Sequence, residues 1–132
     1  MNINYLAGYF DGEGCISMSR YQNYNLCCRV ASVNPAIPLL FRDAFEGWIC
    51  YYKGRKEGHR DQVVWSISGK KVTSFLKRIL PYLIIKKEEA LIGVEYREKH
   101  LEGGHRKKLT LKVLADRERY AQRLSALKRI KY

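Results

Sequence analysis

Several things are scarce in this chain, and each scarcity closes a class of protein. No stretch approaches the roughly 20 consecutive apolar residues that cross a bilayer, so a membrane-spanning protein is not expected. The opening Met1-Asn2-Ile3-Asn4 lacks the charged-then-apolar pattern of a secretion signal, and the expectation is an intracellular protein. The four cysteines, at positions 15, 27, 28 and 50, form no CxxC pair, and neighbours Cys27 and Cys28 on a strand would point to opposite faces. That argues against a zinc cage or a disulfide framework and for free thiols in a reducing compartment. No repeat, low-complexity tract or Pro/Gly/Ser-rich linker divides the 132 residues, so one domain over 1–132 is expected. Acids are scarce too. Thirteen Asp and Glu stand against 25 Lys and Arg, a formal charge of +12.

What is present is unevenly placed. Residues 1–50 carry a net −1, so the whole excess lies beyond them. It falls in four runs: Lys53-Arg55-Lys56-Arg60, Lys70-Lys71-Lys77-Arg78, Lys86-Lys87, and a tail from Arg106 holding ten basic residues against Asp116 and Glu118. Four basic runs interleaved with tyrosines suggest a polyanion, and phosphate backbones are the commonest one. An anionic membrane fits less well, because no helix joins a basic face to exposed Trp or Phe.

Periodicity supplies the elements. Asn4–Phe10 reads as a short apolar helix stopped by Gly12 and Gly14. Glu13–Tyr21 alternates with period two, turns at Gln22-Asn23, and continues as a strand over about Asn25–Ser32. Asn34-Pro35 breaks that strand, and Ile37, Leu40, Phe41 and Phe45 mark a helix ending at Gly47. Trp48–Arg55 and Gln62–Ser68 read as a second hairpin, with Trp48, Cys50 and Tyr52 expected in the core beside Val63, Trp65 and Ile67. Val72, Phe75, Leu76, Ile79 and Leu80 follow helix spacing up to Pro81; Glu88–Lys99 is a further helix, and a basic one follows near Leu111–Lys131. Helix, hairpin, helix, hairpin, helix (αββαββα) followed by two C-terminal helices gives an α+β layer fold. It is a four-stranded antiparallel sheet with helices on one face. The uncovered face would present Ser17, Ser19, Tyr21, Asn23, Asn25, Arg29, Tyr51, Lys53, Arg55, Gln62, Val64 and Ser66, mostly side chains suited to base edges and phosphates. His59, His100 and His105 show no ligand spacing and are expected at the surface, with His59 or His105 able to meet phosphate.

The segment Leu6-Ala7-Gly8-Tyr9-Phe10-Asp11-Gly12-Glu13-Gly14 concentrates the chemistry. Its helix is apolar all round, so a second surface must cover it, and a symmetry-related copy could do so. Asp11 and Glu13 then sit at the negative pole of a helix dipole, where carboxylates need counter-charge; a hard divalent cation is the natural one.

These nine residues resemble the LAGLIDADG motif, keeping Leu6, Ala7, Gly8, Asp11 and Gly14 with the acid Glu13 at the metal-binding position. The order of elements, the basic strand Ile49–Arg55 and the segment Leu80–Lys87 extend the likeness over about residues 4–95, the basic helices of 96–132 lying outside it. The chain thus resembles single-motif, homodimeric LAGLIDADG homing endonucleases. The resemblance implies a curved sheet forming a DNA-binding saddle, and a homodimer joined through Tyr5, Leu6, Gly8, Tyr9, Asp11 and Gly12. It implies metal-dependent hydrolysis across the minor groove of a long, near-palindromic duplex, leaving short 3′ overhangs, as in intron homing. Glu13 and the carbonyl of Gly12 would hold Mg²⁺, with Mn²⁺ or Ca²⁺ able to substitute in binding, and Lys86 would serve as the active-site lysine. Ser32 stands where relatives carry a water-orienting glutamine, and Ala36 where some carry a further cation. The alternative is an RNA-splicing maturase acting on intron RNA, or a non-cleaving DNA-binding protein on the same scaffold.

Overall fold

The computed structural model describes residues 2–20, 23–58, 60–100 and 110–130. Helix α1 spans Ile3–Glu13 and starts where the Asn2 side chain accepts the Tyr5 N–H at 3.2 Å. It does not stop before Gly12 as expected. A glycine costs a helix only about 1 kcal/mol, and one face of α1 buries Leu6, Ala7, Phe10 and Asp11, so the helix runs on until the Gly14 N–H closes on the Phe10 carbonyl. Strand β1 is Gly14–Ser19, shorter than expected; Tyr21 lies outside the described residues, as do His59 and His105. Strands β2 (Asn25–Ser32) and β4 (Gln62–Ser68) fall where the alternation puts them.

Asn34 ends β2 with its own hydrogen bonds. Its side chain accepts the Ala36 N–H at 2.9 Å, and its N–H donates to Ser32 Oγ at 3.1 Å. Helix α2, Ala36–Phe45, follows with Pro38 in its first turn, where no backbone donor is needed. It ends through Glu46 (φ 69°) and Gly47 (φ 92°). A Cβ on Gly47 would collide with the Ser66 carbonyl and the Trp65 ring, and the Glu46 carbonyl accepts the indole N–H of Trp65 at 2.6 Å. Strand β3 is Trp48–Tyr52. Helix α3, Lys70–Ile79, buries Val72, Phe75, Leu76 and Ile79, and Pro81 follows inside a short 3₁₀ turn, Leu80–Tyr82. Helices α4 (Lys87–Lys99) and α5 (Leu111–Ile130) complete the chain. Among the described residues, no helix is long and apolar enough to cross a membrane.

The four strands make one antiparallel sheet in the order β1-β2-β4-β3. Ile16, Cys28 and Ile67 align across it on one face, as do Val30, Trp65 and Ile49. That face meets Phe10, Phe41, Phe45 and Phe75 in an aromatic cluster with ring centroids 4.8–6.4 Å apart. Cys27 and Cys28 do point to opposite faces, Cys28 into this core.

The faces of β3 are the reverse of the expected ones. Ile49 opposes Trp65 and Tyr51 opposes Val63, so Trp48, Cys50 and Tyr52 lie on the open side and Tyr51 on the helix side. The reason is that Trp-Ile-Cys-Tyr-Tyr holds no polar residue to set a period-two phase; packing of Ile49 on buried Trp65 sets it instead. Lys53 and Arg55 fall beyond the strand, in the loop. His100 is a second reversal. It is buried, stacked 5.2 Å from Tyr96, and its Nε2 lies 2.6 Å from Asp116 Oδ2 on α5.

Candidate active site and nucleic-acid interface

The end of α1 presents two acids in different circumstances. Asp11 points into the interior of the chain's own fold. Its Oδ2 accepts the N–H groups of Ile84 and Ile85, each at 3.0 Å, and its Oδ1 accepts that of Lys86 at 2.8 Å. The Lys86 ammonium returns to donate to the Asp11 carbonyl at 2.8 Å. Burial pushes the Asp11 carboxyl up, but the three backbone donors and the Lys86 charge outweigh it and hold the group below its ordinary value. The counter-charge demanded at this helix pole is therefore supplied from within, by the segment entering α4.

Glu13 is exposed, and among the described residues nothing pairs with its carboxylate. Gly12 is exposed as well, and its carbonyl lies past the last helical hydrogen bond of α1. A carboxylate and a carbonyl oxygen side by side are hard donors suited to Mg²⁺ or Ca²⁺. Lys86, through its bond to Asp11, is held at this same helix end. Ser32 is committed elsewhere: it lies opposite Val63, on the helix-side register, and its hydroxyl accepts the Asn34 N–H in the turn to α2.

The exposed stripe of α1 is Asn4, Tyr5, Gly8 and Gly12. Leu6, at 2% exposure, and Asp11, at 7%, belong to the interior of the fold and are not part of it; Tyr9 is half-buried. Beside the stripe stand exposed Ile84 and Ile85, whose amides Asp11 holds, and a hollow of about 460 Å³ between Tyr5, Leu6, Leu40 and Ala44.

The open sheet face is ordered in cross-strand rows. Ser19 faces Asn25; Ser17 faces Cys27 and Ser68; Cys15 faces Arg29, Ser66 and Trp48; Ala31 faces Val64 and Cys50; Gln62 faces Tyr52. Ser66 is buried between Arg29 and Trp48, whereas Arg29, Gln62 and Tyr52 are exposed. The Asn25 side chain already accepts from Arg97 at 2.9 Å, and the Asn23 carbonyl from Arg117 at 2.7 Å, so α4 and α5 fasten this hairpin from the β1 edge. Beyond the β3–β4 end, Lys53, Arg55, Lys56 and Arg60 line a hollow of about 670 Å³ with Tyr52 and Gln62. Trp48, Cys50 and Tyr52 are the face residues expected inside; no alternation in Trp48–Tyr52 signals their true side.

No protein-family model and no curated protein matches the chain. Solved structures do. The homing endonuclease I-CvuI, in complex with its target in the presence of calcium, superposes with a TM-score of 0.72 at 21% identity, covering 95% of this chain and 80% of that one. The archaeal intron-encoded homing endonuclease I-Vdi141I, complexed with DNA, gives 0.74 at 20% identity, covering 95% and 82%. The homing endonuclease I-TnaI gives 0.56 at 22%, covering 98% and 95%. The helix–hairpin–helix–hairpin order and the four-stranded antiparallel sheet are thus those of the LAGLIDADG homing-endonuclease fold, as the motif implied.

Proposed function

We propose that the chain is a site-specific DNA endonuclease that acts as a homodimer and hydrolyses phosphodiester bonds with Mg²⁺. The observation that carries this reading is the pairing of an unengaged acid, Glu13, with a fixed cation, Lys86, at the end of one helix whose chain continues directly into an open sheet face that carries Arg29 and ends beside Lys53, Arg55, Lys56 and Arg60. Glu13 and the Gly12 carbonyl would hold the metal. When bound, it supplies Lewis acidity and a water of lowered pKa. Lys86 stabilises the charge that develops on the phosphorus oxygens, and its anchor on the Asp11 carbonyl spares it reorganisation as the reaction proceeds. Arg29, Gln62 and the planar Trp48 and Tyr52 face the major groove, while the Lys53–Arg60 loop takes backbone phosphate. The relatives of like fold that are crystallised with DNA support the choice of partner.

Two subunits are required because one motif supplies one acid and a duplex has two strands. The α1 stripe is small-sided at Gly8 and Gly12, and Ile84, exposed by 85%, with Ile85, by 54%, adds apolar area that a second copy would bury. Glu13→Gln tests the chemistry. Cleavage should be lost while duplex binding and the sedimenting mass stay unchanged, and undiminished nicking by a clean variant would refute the assignment.

A further inference from the structure

One row of the reading face carries no hydrogen-bonding side chain of strength. Ala31 on β2 opposes Val64 on β4, which opposes Cys50 on β3. All three alternate with the core residues Val30, Trp65 and Ile49, so they face the open side. Ala31 is exposed and the other two are half-exposed. A thiol is a weak donor, and methyl groups are no donors at all. The row is bounded by polar neighbours: Arg29 two residues back on β2, and Gln62 with Tyr52 two residues on. It is an apolar band about 10 Å across three strands and about 7 Å from the row on either side.

We infer that this band reads the 5-methyl groups of thymines in the major groove. The inference rests on the endonuclease reading and adds to it what one part of the face recognises. The base-edge groups in the major groove are donors or acceptors apart from the thymine methyl and the small C5–H of cytosine, and of these the methyl alone offers a sizeable apolar surface. A cytosine amine or a guanine carbonyl pressed on Val64 would lose its water and gain no partner, whereas a methyl gains apolar contact. The band's level in the sheet fixes where those thymines lie. Gly14 opposes Val30, so the chain has left β1 for α1 and Glu13 at the level of Ala31. The thymines are therefore near the scissile steps, one row short of the inner end of the sheet, which Gln62 and Tyr52 occupy. The same band disfavours RNA, whose uracils lack the methyl and whose major groove is too deep and narrow to be read.

The test begins with a randomised duplex library, selected by binding in calcium, from which one bound duplex is resynthesised with deoxyuridine replacing each thymine in turn. Binding should weaken about fourfold, the worth of one buried methyl, at one or two inner positions of each half-site and nowhere else. Val64→Ala should bring the thymine-to-uracil ratio at those positions towards one and leave the other positions as they were. Cys50→Ser, nearly isosteric, should lower it at a neighbouring position. Equal binding of thymine and uracil throughout by the unaltered protein would overturn the methyl reading while leaving the endonuclease reading intact. Failure to bind any duplex in the first selection would overturn the endonuclease reading, and this proposal with it, before uracil is introduced.

Discussion

Asp11 and Glu13 are two residues apart and chemically alike, yet the fold gives them opposite work. Asp11 is consumed by three backbone donors and so joins α1 to the entry of α4, while Glu13 is left free. An asparagine at position 11 could accept at one oxygen only, and its amide would set N–H against N–H at the other. Hydrogen bonds to a charged acceptor are worth about 1.5–3 kcal/mol each, so Asp11→Asn should destabilise the fold by about 3 kcal/mol in urea, as a shift in midpoint at unchanged slope. Because Lys86 is positioned by the same contacts, the variant should also cleave more slowly at saturating DNA while its affinity for the duplex changes little. A loss confined to binding would mean that Asp11 does not position Lys86.

Among the elements, those with a polar–apolar contrast were legible in the sequence and those without it were not. β2, β4, α3 and α4 fall within two residues of their expected ends, because alternation or helical spacing marks them and Pro81, Gly69 or Asn34 closes them. β3 inverted because five apolar residues in a row carry no phase. The motif pointed to Glu13 and Gly12, and the segment Leu80–Lys87 to Lys86, but nothing in either announced the clamp by Asp11: its partners lie 73 to 75 residues away, and three of them are backbone amides that sequence leaves anonymous. α5 also lies along an edge no pattern announced. Arg20 forks onto Glu118 at 2.7 and 3.0 Å, and Tyr24 donates to the same carboxylate at 3.0 Å. These bonds, Arg20's first, bring the Glu118 carboxyl from 4.5 down to about 2. A depressed folded pKa means that the contact contributes fully above about pH 4.5 and is lost as the pH falls through about 2. Melting temperature should therefore drop between pH 5 and pH 2, and Glu118→Gln should drop less over the same interval, a part of the fall remaining because Asp116 is also held low by His100, Lys99 and Arg119. Identical profiles for the two proteins would show that α5 is not fastened through Glu118.

At the scale of the whole molecule, the placement of charge bears on the proposed binding of DNA. The first 50 residues are slightly acidic, so in the proposed dimer the excess cations come from the later elements, Lys86 at the end of α1 among them. In the proposed homodimer twelve charges per chain become +24, and each phosphate neutralised releases counterion, lowering log K by about 0.9 per unit of log salt. Lys53, Arg55, Lys56 and Arg60 cluster at the end of the sheet away from α3, exposed and without an acid partner among the described residues. If they meet backbone phosphate, changing Arg55 and Lys56 to Gln removes four contacts from the dimer. The salt slope should then flatten by about 3 to 4. Base preference across the half-site should be unaltered, because phosphate contacts carry no sequence information. A slope that stayed the same while the sequence preference relaxed would place these cations on base edges instead of phosphates, adding the loop to the sheet rows that distinguish one duplex from another.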